Sequence, residues 1–161
     1  MKKLWLLLLA PALMCGAIEW DAYELAQLKG LRILDIVVDH LPDAITVQRG
    51  DAECLSDEQM TRLVSDKLTQ VGLHVTDSAG AFLSVSVTAV SSGGWVAYDA
   101  QLELEQPAYL ARNSAKAFAV VCMGNLVGLC PENRIVSTVR EDVDGLVNDF
   151  VIGWLLANKK K

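Results

Sequence analysis

The sequence predicts an α+β fold. It reads as a two-layer sandwich, with two helices on one face of a mostly antiparallel sheet of four or five strands, in the order β-α-β-β-β-β-α. Three observations point there. First, Leu83, Val85, Val87 and Ala89 alternate with Ser84, Ser86 and Thr88, and beyond Ser91-Ser92-Gly93-Gly94 a second alternation runs from Val96 to Leu104. Two period-two runs around a Gly-Gly turn make a β-hairpin with one apolar face. Second, Met60, Leu63, Val64, Leu68 and Val71 form one helical stripe. Third, Ile135, Val139, Val143, Leu146, Phe150 and Trp154 recur at spacings of four, four, three, four and four. Two striped helices and one apolar sheet face bury each other.

The length of 161 residues is that of one domain. With 52% hydrophobic and 21% charged residues the chain is too apolar to be disordered. Its net charge of −6 leaves no basic face to neutralise phosphates, which excludes a nucleic-acid binder.

Element by element, residues 18–30 read as a short arm or a turn of helix ending at Gly30, with Trp20 and Tyr23 packing on the core or reaching a partner. Leu31 to Val38 is rich in Ile and Val and reads as a strand stopped by Pro42. Residues 43–55 are polar and read as a loop. Ser56 with Gln59 three positions on is a capping-box pattern, Asp57 and Glu58 suit the first turn, and Gly72 ends that helix. A short strand, Leu73 to Thr76, precedes the hairpin. Pro107 ends the hairpin's second arm, and residues 106–116 read as a loop. Ala117 to Met123 is a strand apolar on both faces, and Gly124 to Pro131 reads as a turn. The closing helix runs from about Asn133 to Ala157. Gly145 and Gly153 lie inside it, each unfavourable by about 1 kcal/mol relative to Ala, and mark possible bends.

The N-terminus carries Lys2 and Lys3, an apolar run from Leu4 to Leu9 extended to Leu13, and small residues at Cys15, Gly16 and Ala17. That is the layout of a secretory signal peptide over residues 1–17, leaving one domain over 18–161. The run falls short of the roughly 20 residues that span a bilayer. An uncleaved anchor is one alternative. Lipidation at Cys15 is another, against the bulky Met14 before it, and would bring the protein to a membrane. The 14 basic residues less these two lysines face 20 acidic ones, so the mature chain carries about −8. The reading is an acidic exported protein, periplasmic or secreted.

An exported domain sits where disulfides persist, and the mature chain keeps Cys54, Cys122 and Cys130. Gly124 and Gly128 between the last two favour a Cys122–Cys130 bridge. Pairing of Cys54 with either, or no bridge at all, are the alternatives.

The segments Leu28-Lys29-Gly30-Leu31, Leu68 to Val75, Val143 to Phe150 and Trp154 to Asn158 resemble a group of small exported bacterial proteins of unknown function. In layout alone the chain is also similar to the TolB N-terminal domain and to the LPS-assembly lipoprotein of the outer membrane. The resemblance implies an envelope setting and no catalytic residues, because its motifs are packing residues.

Parts for chemistry are few. No P-loop, dinucleotide glycine motif or G-x-S-x-G elbow occurs, and neither HExxH nor CxxC. No cofactor, metal or catalytic residue is therefore expected. His40 beside Asp39 and His74 between Leu73 and Val75 read as structural or surface histidines. Glu103 and Glu105 share one strand face roughly 7 Å apart, a spacing compatible with paired-acid chemistry but commoner on a solvated face. Trp95 at the hairpin tip, with Tyr98 near it, is the candidate partner contact. The expected role is a non-enzymatic binding or adaptor domain for an envelope protein or lipid. The alternatives are a binder of a small apolar or lipid molecule between helices and sheet, and a thiol- or metal-dependent hydrolase built on Cys54 and His40.

Overall fold

The computed structural model describes residues 20–39, 41–46, 54–77 and 79–159. The leader over residues 1–17, with Cys15, and His40 lie outside them. In chain order the elements are α1 (Ala22–Leu28), β1 (Ile33–Val38), α2 (Asp43–Thr46), α3 (Asp57–Gln70), β2 (His74–Val75), β3 (Phe82–Ser92), β4 (Trp95–Tyr109) and β5 (Lys116–Pro131). A 3-10 turn (Glu132–Arg134) then leads into α4 (Ile135–Asn158).

Local chemistry sets the helix starts. The Ser56 hydroxyl accepts from the Gln59 amide while the Gln59 side chain accepts from the Ser56 amide, at 3.2 and 2.9 Å. The same reciprocal box, Asp21 with Glu24, opens α1. Each such cap is worth about 1 kcal/mol. The polar stretch 43–55 is not loop throughout, because α2 forms at its start and buries Ile45 completely.

The five strands lie in the order β2-β1-β3-β4-β5. The three long strands are antiparallel neighbours, while β1 runs parallel to both β2 and β3. A parallel step needs a crossover, and α3 supplies the one between β1 and β2. The β3–β4 turn holds only Gly93 and Gly94, at φ +60° and +81°. Positive φ at both positions is the requirement of the tight hairpin turn that follows strand twist.

One face of the sheet packs under the helices. Leu83, Val85 and Val87 of β3, Val96 to Leu104 at alternate positions of β4, and Cys122 and Cys130 of β5 meet the stripe of α4 and Met60, Val64 and Leu68 of α3. Phe150 is the largest fully buried side chain. Lys67 joins the two long helices, its ammonium 2.6 Å from the Asp144 carboxylate and donating to Asn148 Oδ1 at 2.7 Å. At the other end of α4, Trp154 Nε1 donates to the Leu31 carbonyl (2.9 Å), and Asn158 accepts from the Gly30 amide (2.8 Å) and donates to the Leu28 carbonyl (3.0 Å). The closing helix thereby holds the α1–β1 link.

The helix α4 needs its two glycines differently. Nothing would meet a Cβ at Gly145, whereas at Gly153 the Trp20 ring occupies that space. Gly153 is thus a packing glycine, and Trp20 turns inward onto the core.

Three expectations are corrected. The second hairpin arm does not stop at Pro107, which still pairs with Phe118, so β4 reaches Tyr109. Gly124 to Pro131 is not a turn but the second half of β5. Gly124 and Gly128 stand opposite Leu102 and Tyr98, and the Tyr98 ring fills the place of a Gly128 side chain. Cys122 and Cys130 therefore cannot form a disulfide. Eight residues of extended strand separate them by roughly 26 Å, far beyond the ~7 Å Cα limit of a bridge. All three described cysteines are free thiols.

Candidate functional site

Among the described residues the other face of the sheet carries no helix. Its side chains come from the alternate positions of β3, β4 and β5, and they are distributed unevenly. On β4 the face is polar, with Asp99, Gln101, Glu103 and Glu105. On β5, the edge strand, it is apolar, with Phe118, Val120, Met123, Val127 and Leu129, interrupted only by Asn125. A bulge between Leu104 and Glu105 makes that stripe continuous. It shifts the register by one residue, so that Phe118 and Val120 emerge on the same side as Met123, Val127 and Leu129.

These side chains stand in the open. Val127 is 73% and Leu129 66% exposed, and at the hairpin end they adjoin Val90 and Trp95, 73% and 51% exposed. At the opposite end the Phe82 and Phe118 rings pack at 5.1 Å between centroids, with the Lys116 ammonium 5.8 Å from the Phe118 centroid. Among the described residues no further strand pairs beyond β5, so an edge of 16 residues presents backbone groups that no described strand pairs. Beside the stripe, Gln101 donates to Asp99 Oδ2 at 2.6 Å, while the buried Asp99 Oδ1 has no hydrogen-bond partner.

Of the two residues expected to touch a partner, Trp95 lies exposed at the tip and joins this surface. Tyr98 does not. It faces the helices, is 4% exposed, and its hydroxyl donates to the Asp142 carboxylate of α4. Burial first, then that carboxylate, push the phenol well above its ordinary value. The odd residues of this arm point outward and the even ones inward, so two neighbours three apart in sequence occupy opposite faces.

Two of the thiols, Cys122 and Cys130, are poor nucleophiles. Burial, reinforced by Glu24, pushes Cys122 up to about 12, and burial raises Cys130 against the opposing effects of Thr138 and Arg134. His74 is exposed on β2, Cys54 is half-buried before α3, and Tyr23 is exposed on α1. Glu103 and Glu105 remain side by side on the open face, opposite Met123 and Val120. Among the described residues no three His, Cys, Asp or Glu side chains converge as metal ligands. None of the described helices is long and apolar enough to cross a membrane.

The residues that sequence reading missed are Val127 and Leu129, because two glycines disguised their strand as a turn. The signal was present. Met123, Asn125, Val127 and Leu129 alternate with Cys122, Gly124, Leu126, Gly128 and Cys130, a period of two that runs straight through the glycines.

Site and fold together define an α+β domain with one roofed and one bare sheet face. The chain matches no known protein family and no curated protein. Among solved structures, a PelC dodecamer from Paraburkholderia phytofirmans is similar at 14% identity and a TM-score of 0.35, over 72% of this chain and 90% of that one.

Proposed function

We propose that this chain is an exported, non-enzymatic binding domain that docks another protein of the cell envelope on its open sheet face. One observation carries the reading: the apolar stripe of β5 runs alongside an unpaired strand edge. Soluble monomers rarely expose contiguous apolar patches of this kind, and long bare edges are normally blunted by charge, proline or cover. Here the outward positions from Val120 to Leu129 carry no charge at all. An extended segment of a partner adding itself to β5 would pair the free backbone groups and cover alternate apolar side chains, the mode called strand addition. Trp95 at the tip would supply an aromatic anchor, the residue type that dominates interface energetics. Cys122 and Cys130, buried under the helices with raised proton affinities, offer no nucleophile to this surface.

The test is photo-crosslinking in the intact host, with a photoreactive residue at Val127 or Leu129 and, as control, at Asp66 on the outer side of α3. Adducts from the strand positions, absent at Asp66 and lost in a Val127→Lys, Leu129→Lys background, support the reading. Equal adducts at all three positions, or none at the strand, refute it. An adduct of twice the chain's own mass would identify a second copy and overturn the envelope-partner reading.

A further inference from the structure

We infer a second, separate surface, a membrane-facing end built by the last two turns of α4 and directed at anionic lipid headgroups. Ile152, Leu155 and Leu156 project from this end of α4, each about half exposed. They line a hollow of about 510 Å³ together with Val71, Arg32 and Lys159. Lys29, also exposed, lies on the α1–β1 link that Asn158 holds. Among the described residues no carboxylate forms an ion pair with Lys29, Arg32 or Lys159, and Lys160 and Lys161 follow in sequence.

Charge placement is the informative part. The chain is net negative, at −6, so an even distribution would repel an anionic bilayer in every orientation. Three cations, Lys29, Arg32 and Lys159, gather at this apolar end, against Asp149 one turn before Ile152 on α4 and Asp21 beside Trp20. The acids Asp57 and Glu58 stand in the first turn of α3, a helix of 14 residues whose other end reaches the hollow at Val71, about 20 Å away at 1.5 Å per residue. Leucines and an isoleucine flanked by Arg and Lys suit the boundary between headgroups and acyl chains, where long basic side chains keep their charge in the polar layer.

Trp20, the first described residue, packs on Gly153 at this same end. The surface shares no residue with the β5 stripe, and the two proposals stand or fall separately.

Binding of the mature chain, residues 18–161, to sedimented vesicles tests the inference, with phosphatidylglycerol–phosphatidylcholine compared against phosphatidylcholine alone. Each basic side chain near an anionic surface contributes about fivefold in partition. Arg32→Gln and Lys159→Gln should each weaken binding to the anionic vesicles by about that factor and leave the zwitterionic ones unchanged. Arg62→Gln, the same charge change on the exposed side of α3, should have no effect. The double variant Leu155→Ser, Leu156→Ser should lose more than tenfold on anionic vesicles while keeping the far-ultraviolet spectrum of the parent. Equal losses for Arg62→Gln and Arg32→Gln, or none for either, overturn the proposal.

Discussion

On its roofed face the sheet presents Leu83, Val85, Leu102 and Leu104, all 3% exposed or less, and Phe150 of α4 closes over them. On its bare face, at neighbouring positions of the same hairpin and of β5, stand Thr88, Gln101, Glu103, Val127 and Leu129. Polar residues on β3 and β4 suit water, but the β5 stripe does not. Backbone pairing is equally regular beneath both faces, so the difference lies entirely in what the side chains meet. The roofed face supplies stability, and the bare one offers surface that only a partner can bury.

Substitutions can break that contrast. The largest effect is expected at Phe150→Ala, which should lower unfolding free energy by about 3–5 kcal/mol through lost burial and a residual cavity. Phe118→Ala on the bare face should change it by less than about 1 kcal/mol. Urea titrations of both variants decide the matter, and equal losses would mean that the β5 stripe is already covered in the isolated protein.

Next in size is Tyr98→Phe. It removes a hydrogen bond to a carboxylate and should destabilise by about 1.5–3 kcal/mol, although Tyr98 lies beside solvent-facing Trp95 and Asp99 in sequence. This variant also sharpens the alkaline behaviour. The folded state raises the proton affinities of Tyr98, Cys122 and Cys130. Their contribution is therefore complete below the ordinary values near 9 and 10 and is lost as pH rises through the folded ones. For Cys122 that window runs from 9 to about 12. Chemical denaturation across it should show falling stability in the parent, with a shallower slope in Cys122→Ala and in Tyr98→Phe.

The two helix glycines give a smaller, signed test. Gly145→Ala meets nothing and should stabilise by about 0.5–1 kcal/mol. Gly153→Ala displaces Trp20 and should destabilise by about 1–2 kcal/mol. Opposite shifts in melting temperature, with a drop in Trp20 burial for the second alone, are the expected result. Smallest of all, Val127→Lys with Leu129→Lys should move stability by no more than about 0.5 kcal/mol, while abolishing the crosslinks of the strand face.

Much of this architecture is local in origin, and so it was readable. The Ser56–Gln59 box, the Gly93-Gly94 turn and the long α4 stripe depend on residues a few positions apart, and each lies where its pattern puts it. The short α2 escaped because four residues show no periodicity. The inward turn of Tyr98 was legible from alternation alone, yet its nearness to Trp95 in sequence suggested a shared surface.

By itself, then, the chain determined its two long helices, its hairpin and the apolar face that joins them, since period and capping are properties of neighbours. Tertiary structure decided the rest. Whether Gly124 and Gly128 bend the chain or lie flat depends on the Leu102 and Tyr98 side chains across the ladder. Whether Cys122 meets Cys130 depends on that same choice. Which apolar residues stay bare depends on how far the helices reach, and α4 roofs only one side of β5. These are contacts between residues distant in sequence, and no local spacing encodes them.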